Sequence, residues 1–313
     1  MSHLPVNISR LAVILCLAGL LLAGGCIREN IDDCPVSVEL TFLYYGNGIT
    51  DIFPDKVDSV SMWAYRADGS FYSGSMIPAR ALDTLQGVRV ALPPGDWKLV
   101  FWGNDGEGSH VDPALLEQML STPEHRSGAQ PETIERLFHG TVDLSLPLTL
   151  RLQRDTVEYT SAHTAMTVEF IGFDGLGDPE IVPASAAVDT GEIFFRHSDM
   201  HASVGWDNTP SDTRTTYRPS LERVDSTGSL ITTYLVPRFA DSDCGSLDIY
   251  RIDTGEKMWS RSLASILSEL EIVTEDEEEA HVRLKIVRTP GGAGASSIKV
   301  VPWHAQDVYP VIP

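Results

Sequence analysis

The sequence predicts an all-β protein made of two β-sandwich domains in tandem, with a few short helices. Three observations support this fold class. Segments of alternating apolar and polar residues recur at spacings of roughly 8 to 12 residues, which is typical of β-sandwiches. Turn-forming residues separate these segments, and the convincing helical spacing is confined to residues 256–270. The chain of 313 residues is long enough for about two domains.

The first 25 residues have the organisation of an export signal. A polar segment with one cation, Arg10, precedes an uncharged apolar run, and small residues lie directly before Cys26. Small residues that end at a cysteine indicate a lipoprotein signal, so we predict cleavage before Cys26 and attachment of diacylglycerol and N-acyl lipid to it. The alternative is an ordinary signal peptide followed by a coincidental cysteine. A membrane-spanning helix is disfavoured because it needs roughly 18 or more apolar residues.

The charge of the chain excludes several kinds of partner. Removal of residues 1–25 takes away Arg10 and no acidic residue, so the net charge changes from −21 to −22. A chain with so few cations is not expected to bind nucleic acid or to be attracted to anionic lipid. Membrane association therefore depends on the acyl chains, and two or three chains hold a protein firmly. No cofactor other than this lipid is predicted.

Four cysteines are present, and two of them remain available for a disulfide. Cys16 leaves with the signal and Cys26 carries the lipid, which leaves Cys34 and Cys244. In an exported protein this pair is a candidate bridge. It would close a loop of about 210 residues, worth about 5 kcal/mol in the chain-entropy model. Two unpaired buried thiols are the alternative.

The N-terminal half begins with a polar tether, residues 26–35, and continues with strands. Apolar residues occupy every second position from Val36 to Tyr44, so we expect a half-buried strand there. Asp68-Gly69 predicts a hairpin turn after the second strand, and Asp112-Pro113 predicts the start of a helix. The predicted strands are 36–44, 57–66, 88–92 and 97–102, with helices at 112–120 and 131–138.

The most regular alternation in the sequence runs from Val142 to Leu152 and predicts one long strand. Pro147 interrupts it and places the strand at a sheet edge or at a bulge. We place the domain boundary where this strand ends, near Arg154. The predicted domains are therefore residues 36–154 and 155–313.

The C-terminal half repeats the pattern of short strands. The exception is residues 256–270, where Trp259, Leu263 and Ile266 have helical spacing. The acidic run Glu275 to Glu279 is expected to be a solvated loop, and a glycine-rich loop precedes the last strand. The predicted strands are 165–173, 192–196, 215–223, 230–237, 247–252, 282–286 and 298–303.

Several landmarks follow one another in a recognisable order. They are the lipoprotein cysteine, Asp33-Cys34-Pro35, the segment from Leu92 to Asn104 that contains Pro94-Gly95-Asp96-Trp97 and Trp102-Gly103-Asn104, and a last strand that ends at Trp303. This order resembles the fimbrial anchor (minor fimbrium anchoring subunit) lipoproteins of Bacteroidales, which are related to the fimbrillins. The resemblance covers the mature chain and is looser in the second half.

The resemblance implies two transthyretin-like β-sandwich domains and a lipid in the outer membrane at the cell surface. It also implies that the chain anchors or terminates a fimbrium by strand exchange with fimbrillin or accessory fimbrial subunits and so supports adhesion. In that family, fimbrillins that polymerise lose an N-terminal strand when a protease cleaves the chain after an arginine. Neither Arg28 nor Arg66 marks an obvious cleavage site of this kind here. We expect the strand 36–44 to be retained. Residues 298–312 are either a donor strand or the closing strand of their own sandwich.

Candidate catalytic and metal sites are weak in this sequence. Ser296 to Lys299 satisfies S-x-x-K, but it opens a predicted strand, where the lysine is not one helical turn from the serine. His197, Asp199 and His201 would share one face of a regular strand, as a metal site requires, but a solvated strand end is the simpler interpretation. Asp241 to Asp248 faintly resembles a calcium loop without its glycine and glutamate positions. We therefore predict no enzyme.

The tryptophans keep a second function open. Five of the six tryptophans lie in predicted strands or on the predicted helix and are expected in the core. Trp206 lies beside a turn instead. An exposed aromatic pair near Trp206 would indicate a surface carbohydrate-binding lipoprotein of a glycan-uptake system.

Overall fold

The structure is a computed structural model that describes residues 35–106, 109–111, 116, 120–123, 130–149, 151–173, 193–290 and 296–303. Strands dominate these residues and the helices are short, so the predicted all-β fold class is confirmed. None of the helices in the described ranges is long and apolar enough to cross a membrane.

Within the described residues, the first half of the chain contributes nine strands and two short helices. The helices are α1 (Phe53–Lys56) and α2 (Ala79–Leu85). The strands are β1 (Val36–Leu43), β2 (Val60–Arg66), β3 (Phe71–Ile77), β4 (Gly87–Leu92), β5 (Gly95–Gly103), β6 (Ser109–Val111), β7 (Leu120–Pro123), β8 (Phe138–Leu146) and β9 (Leu152–Ser161).

Seven of these strands form a sheet in the order β3-β2-β5-β8-β9-β1-β4. β8 and β9 pair through three residues each, Phe138 to Gly140 and Tyr159 to Ser161. The sheet folds over at this junction, because Phe42 of β1 contacts Phe101 of β5, which is not its neighbour in the sheet. The layers β3-β2-β5-β8 and β9-β1-β4 therefore enclose one core.

The second half of the chain forms a second sandwich. Its helix is α3 (Leu263–Leu270), and its layers are β14-β15-β10-β18-β19 and β13-β11-β16-β17. The strands are β10 (His163–Ile171), β11 (Ile193–His201), β12 (Val204–Gly205), β13 (Arg214–Tyr217), β14 (Glu222–Arg223), β15 (Leu230–Pro237), β16 (Ser246–Arg251), β17 (Lys257–Ser262), β18 (His281–Pro290) and β19 (Ser296–Pro302).

The two sandwiches share one topology. In the first, β1 lies between β4, which is antiparallel, and β9, which is parallel. In the second, β10 lies in the same way between antiparallel β15 and parallel β18. The opposite layers also correspond strand by strand, β3-β2-β5-β8 with β13-β11-β16-β17. Each domain is thus the same seven-stranded sandwich, and β14 and β19 are additional edge strands.

The domains join through a third group of buried residues and through backbone pairing. β7 of the first half pairs with β12 of the second half. Beside this pair, a small cluster brings Tyr65 and Trp102 against Val204. At the other side of the junction, Lys56 Nζ lies 2.6 Å from Glu279 Oε1. The last residue of the acidic run is therefore an ion-pair partner, which corrects the expectation of a purely solvated loop.

The long strand predicted from Val142 to Leu152 is wrong, because it is two strands. β8 ends at Leu146, and β9 begins at Leu152. Pro147 follows β8 directly, and a proline cannot donate the backbone hydrogen bond that would extend the ladder. Apolar and polar residues still alternate in the turn that follows, but the apolar Leu148 is not buried there and is 54 % exposed. β9 continues to Ser161 and pairs with β1 and β8 of the first sandwich, while the domain boundary near Arg154 stays a prediction.

The helix predicted over residues 256–270 is half right. Its first part is strand β17, which pairs with β16 and contains Trp259. The helix begins only after Ser262, whose side chain accepts a hydrogen bond from the backbone N–H of Ser265. Leu263, Ile266 and Leu267 are buried, as their spacing predicts. Trp259 of the strand lies four residues before Leu263 of the helix, so the apolar residues of both elements together have the spacing of one longer helix.

Two further predicted elements differ from the structure. Residues 130–137 contain no helix, and the strand predicted over residues 215–223 is divided into β13 and β14. The predicted helix 112–120 lies outside the described residues apart from Leu116 and Leu120.

Candidate functional site

The first strand lies at the centre of its layer, with a neighbour on each side. β1 pairs with β4 from Val36 to Thr41 and with β9 from Ser37 to Leu43. The side chains that alternation predicts to be buried are at most 1 % exposed: Val36, Val38, Leu40, Phe42 and Tyr44. Burial of five side chains of this size contributes about 10 kcal/mol, which is as much as the net stability of a typical domain. The chain cannot lose β1 and keep this core.

Phe42 is the centre of an aromatic cluster that joins the two layers. Its ring lies 5.3 Å from Phe101, 5.4 Å from Tyr159 and 5.5 Å from Phe53, centroid to centroid. The pairs with Phe101 and Tyr159 are edge-to-face and the pair with Phe53 is tilted. Aromatic pairs of this kind stabilise a core by about 1 kcal/mol each beyond the burial of area. β1 is therefore held by side chains as well as by its backbone pairs.

The end of β1 is fixed by a side-chain network that the sequence analysis missed. Asp51 Oδ1 accepts hydrogen bonds from the backbone N–H groups of Tyr44 and Phe53, both at 3.0 Å. Gln86 Nε2 donates to Phe42 O and to Asp51 Oδ2. Burial raises the pKa of Asp51, but these hydrogen bonds outweigh it and leave the pKa below its usual value.

A row of three charges crosses the outer face of the same layer. Glu39 of β1 lies between Arg89 of β4 and Arg154 of β9, its register partners on either side. Both guanidinium groups contact the carboxylate, Arg154 at 3.1 Å. These ion pairs lower the pKa of Glu39. Alternation placed Glu39 on the outer face, but the two arginines follow only from the strand order.

Gly87 allows the closest approach between β4 and β1. A Cβ atom at this position would lie 1.9 Å from Leu40 O and 3.2 Å from Thr41 Cα. No side chain fits there unless the two strands separate, so the glycine is required for packing.

The predicted metal candidates do not share one face. His197 and His201 are buried, whereas Asp199 is exposed. The reason is an irregularity in β11: Asp199 has a φ of 59°, and the register with β13 shifts between His197 and Met200. The described residues hold no group of three or more His, Cys, Asp or Glu side chains placed to bind a metal ion.

Each histidine of this strand has a structural partner. The Nε2 of His197 lies 2.9 Å from Cys244 O, and the hydroxyl of Tyr234 lies 3.1 Å from its Nδ1. Burial lowers the pKa of His197 to about 4, although the bond to Cys244 O acts in the opposite direction. His201 Nδ1 lies 2.6 Å from Ser211 O. These rings are therefore parts of the core and of its turns.

The segment resembling a calcium loop is occupied by protein contacts. Asp241 accepts hydrogen bonds from Thr274, Asp243 pairs with Arg214 at 2.7 Å, and Asp248 accepts from the hydroxyl of Ser260. These carboxylates point to different partners. Ser296 and Lys299 lie in strand β19, as expected, so the S-x-x-K spacing does not have helical geometry.

Of the cysteines proposed for lipidation and for the bridge, only Cys244 lies in the described part of the chain. Cys244 is buried and has no disulfide partner within the described residues, and its Sγ lies 3.4 Å from Asp241 O. Cys26 and Cys34 lie outside the described residues, so lipidation and the bridge remain predictions.

Trp206 is half-buried against the small cluster that contains Tyr65 and Val204, and Lys98 Nζ lies 4.9 Å from its ring centre. A cation thus lies over the ring that was the candidate sugar platform.

The C-terminal segment closes its own sandwich in the described part. β19 pairs with β18 over seven residues, from Ser296 to Pro302. Val300 is 8 % exposed and belongs to the core of the second domain. Residues 304–312, the rest of the candidate donor segment, lie outside the described residues.

Comparisons with known proteins agree with this architecture. A family model described as "Mfa2: Fimbrillin-A associated anchor proteins Mfa1 and Mfa2" matches residues 31–309. A search of curated protein sequences finds no match. Among solved structures, the fimbrial anchor protein Mfa2 from Porphyromonas gingivalis is 15 % identical with a TM-score of 0.66, over 86 % of this chain and 98 % of that one.

Two Bacteroides structures are similar to the same extent. A protein provisionally described as an adhesin, from Bacteroides ovatus, is 17 % identical with a TM-score of 0.65, over 91 % of this chain and 100 % of that chain. A protein provisionally described as polysaccharide-binding, from Bacteroides thetaiotaomicron, is 15 % identical with a TM-score of 0.65, over 87 % and 100 %. At such identities the likeness concerns the fold alone.

Proposed function

Since the chain belongs to the family of fimbrillin-A associated anchor proteins, we propose that it is a lipoprotein of the outer membrane that anchors or terminates a fimbrium at the cell surface. Strand-exchange contacts with fimbrillin or accessory subunits make the connection, and the lipid on Cys26 holds it to the membrane. The chain supports adhesion through the fimbrium and has no catalytic activity of its own.

The position of β1 is the observation that carries this proposal. Val36 follows Cys26 by ten residues, so a lipid on Cys26 pulls directly on β1. β1 has a hydrogen-bonded neighbour on both sides and five buried side chains at or beside it. To leave the sheet, such a strand must break the backbone pairs on both of its sides, whereas an edge strand breaks those on one side only. An anchor requires a strand of the first kind next to its lipid.

The carbohydrate-binding alternative has less support. It predicts an exposed aromatic pair near Trp206, but this ring is half-buried with Lys98 over it. The likeness to the polysaccharide-binding description extends only to the fold. We therefore retain the fimbrial function.

Replacement of the lipidated residue tests the proposal. Cys26→Ala should release both the protein and the fimbriae into the medium, because the acyl chains are its attachment to the membrane. Cys16→Ala, within the apolar run of the signal, is the matched control and should leave both on the cell. The measurement is immunoblotting of membrane and medium fractions together with electron microscopy of the fimbriae. Retention of the Cys26→Ala protein in the membrane fraction would contradict lipid anchoring.

A further inference from the structure

The edge strands of the described sheets, which include the small sheet β12-β7-β6, differ in their protection against pairing with other chains. An edge strand exposes unpaired N–H and C=O groups, and proteins usually protect it with charged residues, with proline or by making it short. Edge strands β6, β12 and β14 have three residues or fewer. Each of the longer edge strands β4, β13, β17 and β19 contains a cation: Arg89, Arg214, Lys257 with Arg261, and Lys299.

β3 has none of these protections. Its seven residues, Phe71–Ile77, include no charged residue and no proline. Within the described residues its neighbour is β2 on one side, and it ends the seven-stranded sheet on the other. Among the edge strands longer than three residues in the described ranges, β3 is the only one without a charge. A strand of this composition at a sheet edge is the preferred template for pairing with another strand.

The side chains of β3 are also exposed to an unusual degree for their type. Met76 is 66 % exposed, and Phe71 and Tyr72 are each 41 % exposed. Between them, Ser73, Gly74 and Ser75 leave the backbone uncovered. Together they form a strip with apolar side chains at both ends and open peptide groups in the middle.

The strip is held in place by the layer beneath it. A Cβ atom on Gly74 would lie 2.9 Å from Trp63 Cδ1, so the glycine lets β3 lie close to β2. The Tyr72 ring packs edge-on against Trp97 at 4.8 Å. The guanidinium carbon of Arg66 lies 5.1 Å from the centre of the Tyr72 ring. β3 is thus firmly packed against β2, and its outer edge has no backbone partner among the residues that the structure describes.

We propose that β3 is the acceptor edge for an extended strand of a fimbrial subunit, and this inference rests on the proposed function. Backbone groups of the incoming strand pair with the free edge of β3, and its apolar side chains cover Met76, Phe71 and Tyr72. A second copy of this chain fits less well, because each copy without residues 1–25 carries a net charge of −22, and such charges repel.

A charge placed on the edge tests the proposal. Ser75→Lys and Ser75→Glu add opposite charges at an exposed position of β3, and either should weaken binding of the full-length protein to fimbriae sheared from the same cells by about tenfold or more. Ala91→Lys adds the same cation to an exposed position of edge strand β4 and should change binding by less than about twofold. Wild-type binding by both Ser75 variants would overturn the proposal.

A photoreactive benzoylphenylalanine at position 76 identifies the occupant. We expect a cross-link from Met76 to a fimbrial subunit on fimbriated cells, and none from Ala91. A cross-link to a second copy of this chain, or no cross-link while the protein still holds fimbriae, would overturn the assignment of β3 and leave the proposed function intact. If cells that lack the protein retain their fimbriae, the proposed function fails, and the inference fails with it.

Discussion

Truncation of Phe42 tests the claim that β1 holds the first domain together. Phe42 is fully buried, and its ring contacts Phe53, Phe101 and Tyr159 from both layers of the sandwich. Phe42→Ala leaves a cavity between the layers, because the three surrounding rings belong to different elements and cannot all move inward. A buried phenylalanine replaced by alanine costs about 4 kcal/mol. That loss is close to the whole stability of a marginal domain.

The expected loss is large enough to measure by heat or denaturant. For a domain of this size, a loss of about 4 kcal/mol lowers Tm by about 15 °C. Phe71→Ala is the matched control, since it removes the same atoms from a side chain that is 41 % exposed. It should cost about 1 kcal/mol or less.

Urea denaturation of the unlipidated chain, followed by circular dichroism, gives both values. Equal losses for the two variants would refute the conclusion that β1 carries the core. A loss below about 1 kcal/mol for Phe42→Ala would mean that the layers can collapse around the cavity. On cells, the Phe42→Ala protein should stay in the membrane while fimbriae are shed under shear.

The remaining predictions concern packing, pH and the thiols. Gly87→Ala should lower stability by about 3 kcal/mol or more, because its Cβ would overlap Leu40 O; a Tm within a degree or two of wild type would contradict this. Burial lowers the pKa of His197 to about 4 in the folded protein. As the pH falls, the unfolded chain therefore protonates this histidine before the folded protein does. His197 should thus lower the free energy of unfolding by about 2 kcal/mol between pH 7 and pH 5. His197→Gln should remove that part of the pH dependence in urea titrations, and an unchanged slope would argue against it. If Cys34 and Cys244 are bridged, reducing agent should lower Tm, whereas two reactive thiols in the unfolded, unreduced chain would exclude the bridge.

Alternation in the sequence was sufficient to predict single strands but not their neighbours. The alternation from Val36 to Tyr44 predicts β1 and its buried face correctly, because the polarity of each side chain indicates whether it faces the core or solvent. The neighbours β4 and β9 are 44 or more residues away in sequence, as the contact of Phe42 O with Gln86 shows. Parallel pairing with β9 leaves no local signal at all. For this reason the central position of β1 needed the structure.

The local predictions that failed did so where two patterns overlap. Val142 to Leu152 keeps period two through a turn, so the alternation hid the end of β8 at Leu146. Asp199 adopts a left-handed conformation and breaks the alternation that would have aligned it with His197 and His201. A bulge of this kind depends on tertiary contacts, and the sequence carries no reliable signal for it.

The free edge at β3 was beyond sequence analysis for a different reason. Phe71 and Tyr72 were visible as the second arm of a hairpin after Asp68-Gly69, and this hairpin is confirmed. Whether the second strand of a hairpin lies at the edge of a sheet or inside it depends on whether a strand distant in sequence pairs with its other side. The composition Phe71–Ile77 becomes informative only when the strand order shows that it ends the sheet.

Under the proposed function, β1 next to the lipid and the proposed acceptor edge at β3 define a path for tension across the first domain. Force applied at β3 reaches β1 through β2, β5, β8 and β9, the order of the sheet. The narrowest step is from β8 to β9, where only three residue pairs connect the strands, Phe138 to Gly140 with Tyr159 to Ser161. Three backbone pairs resist tension weakly, since each hydrogen bond contributes only about 1 kcal/mol net. The rest of the load must therefore pass directly between the layers, through the side chains packed around Phe42. This is why a single buried ring is expected to matter as much for holding a fimbrium as for the stability of the fold.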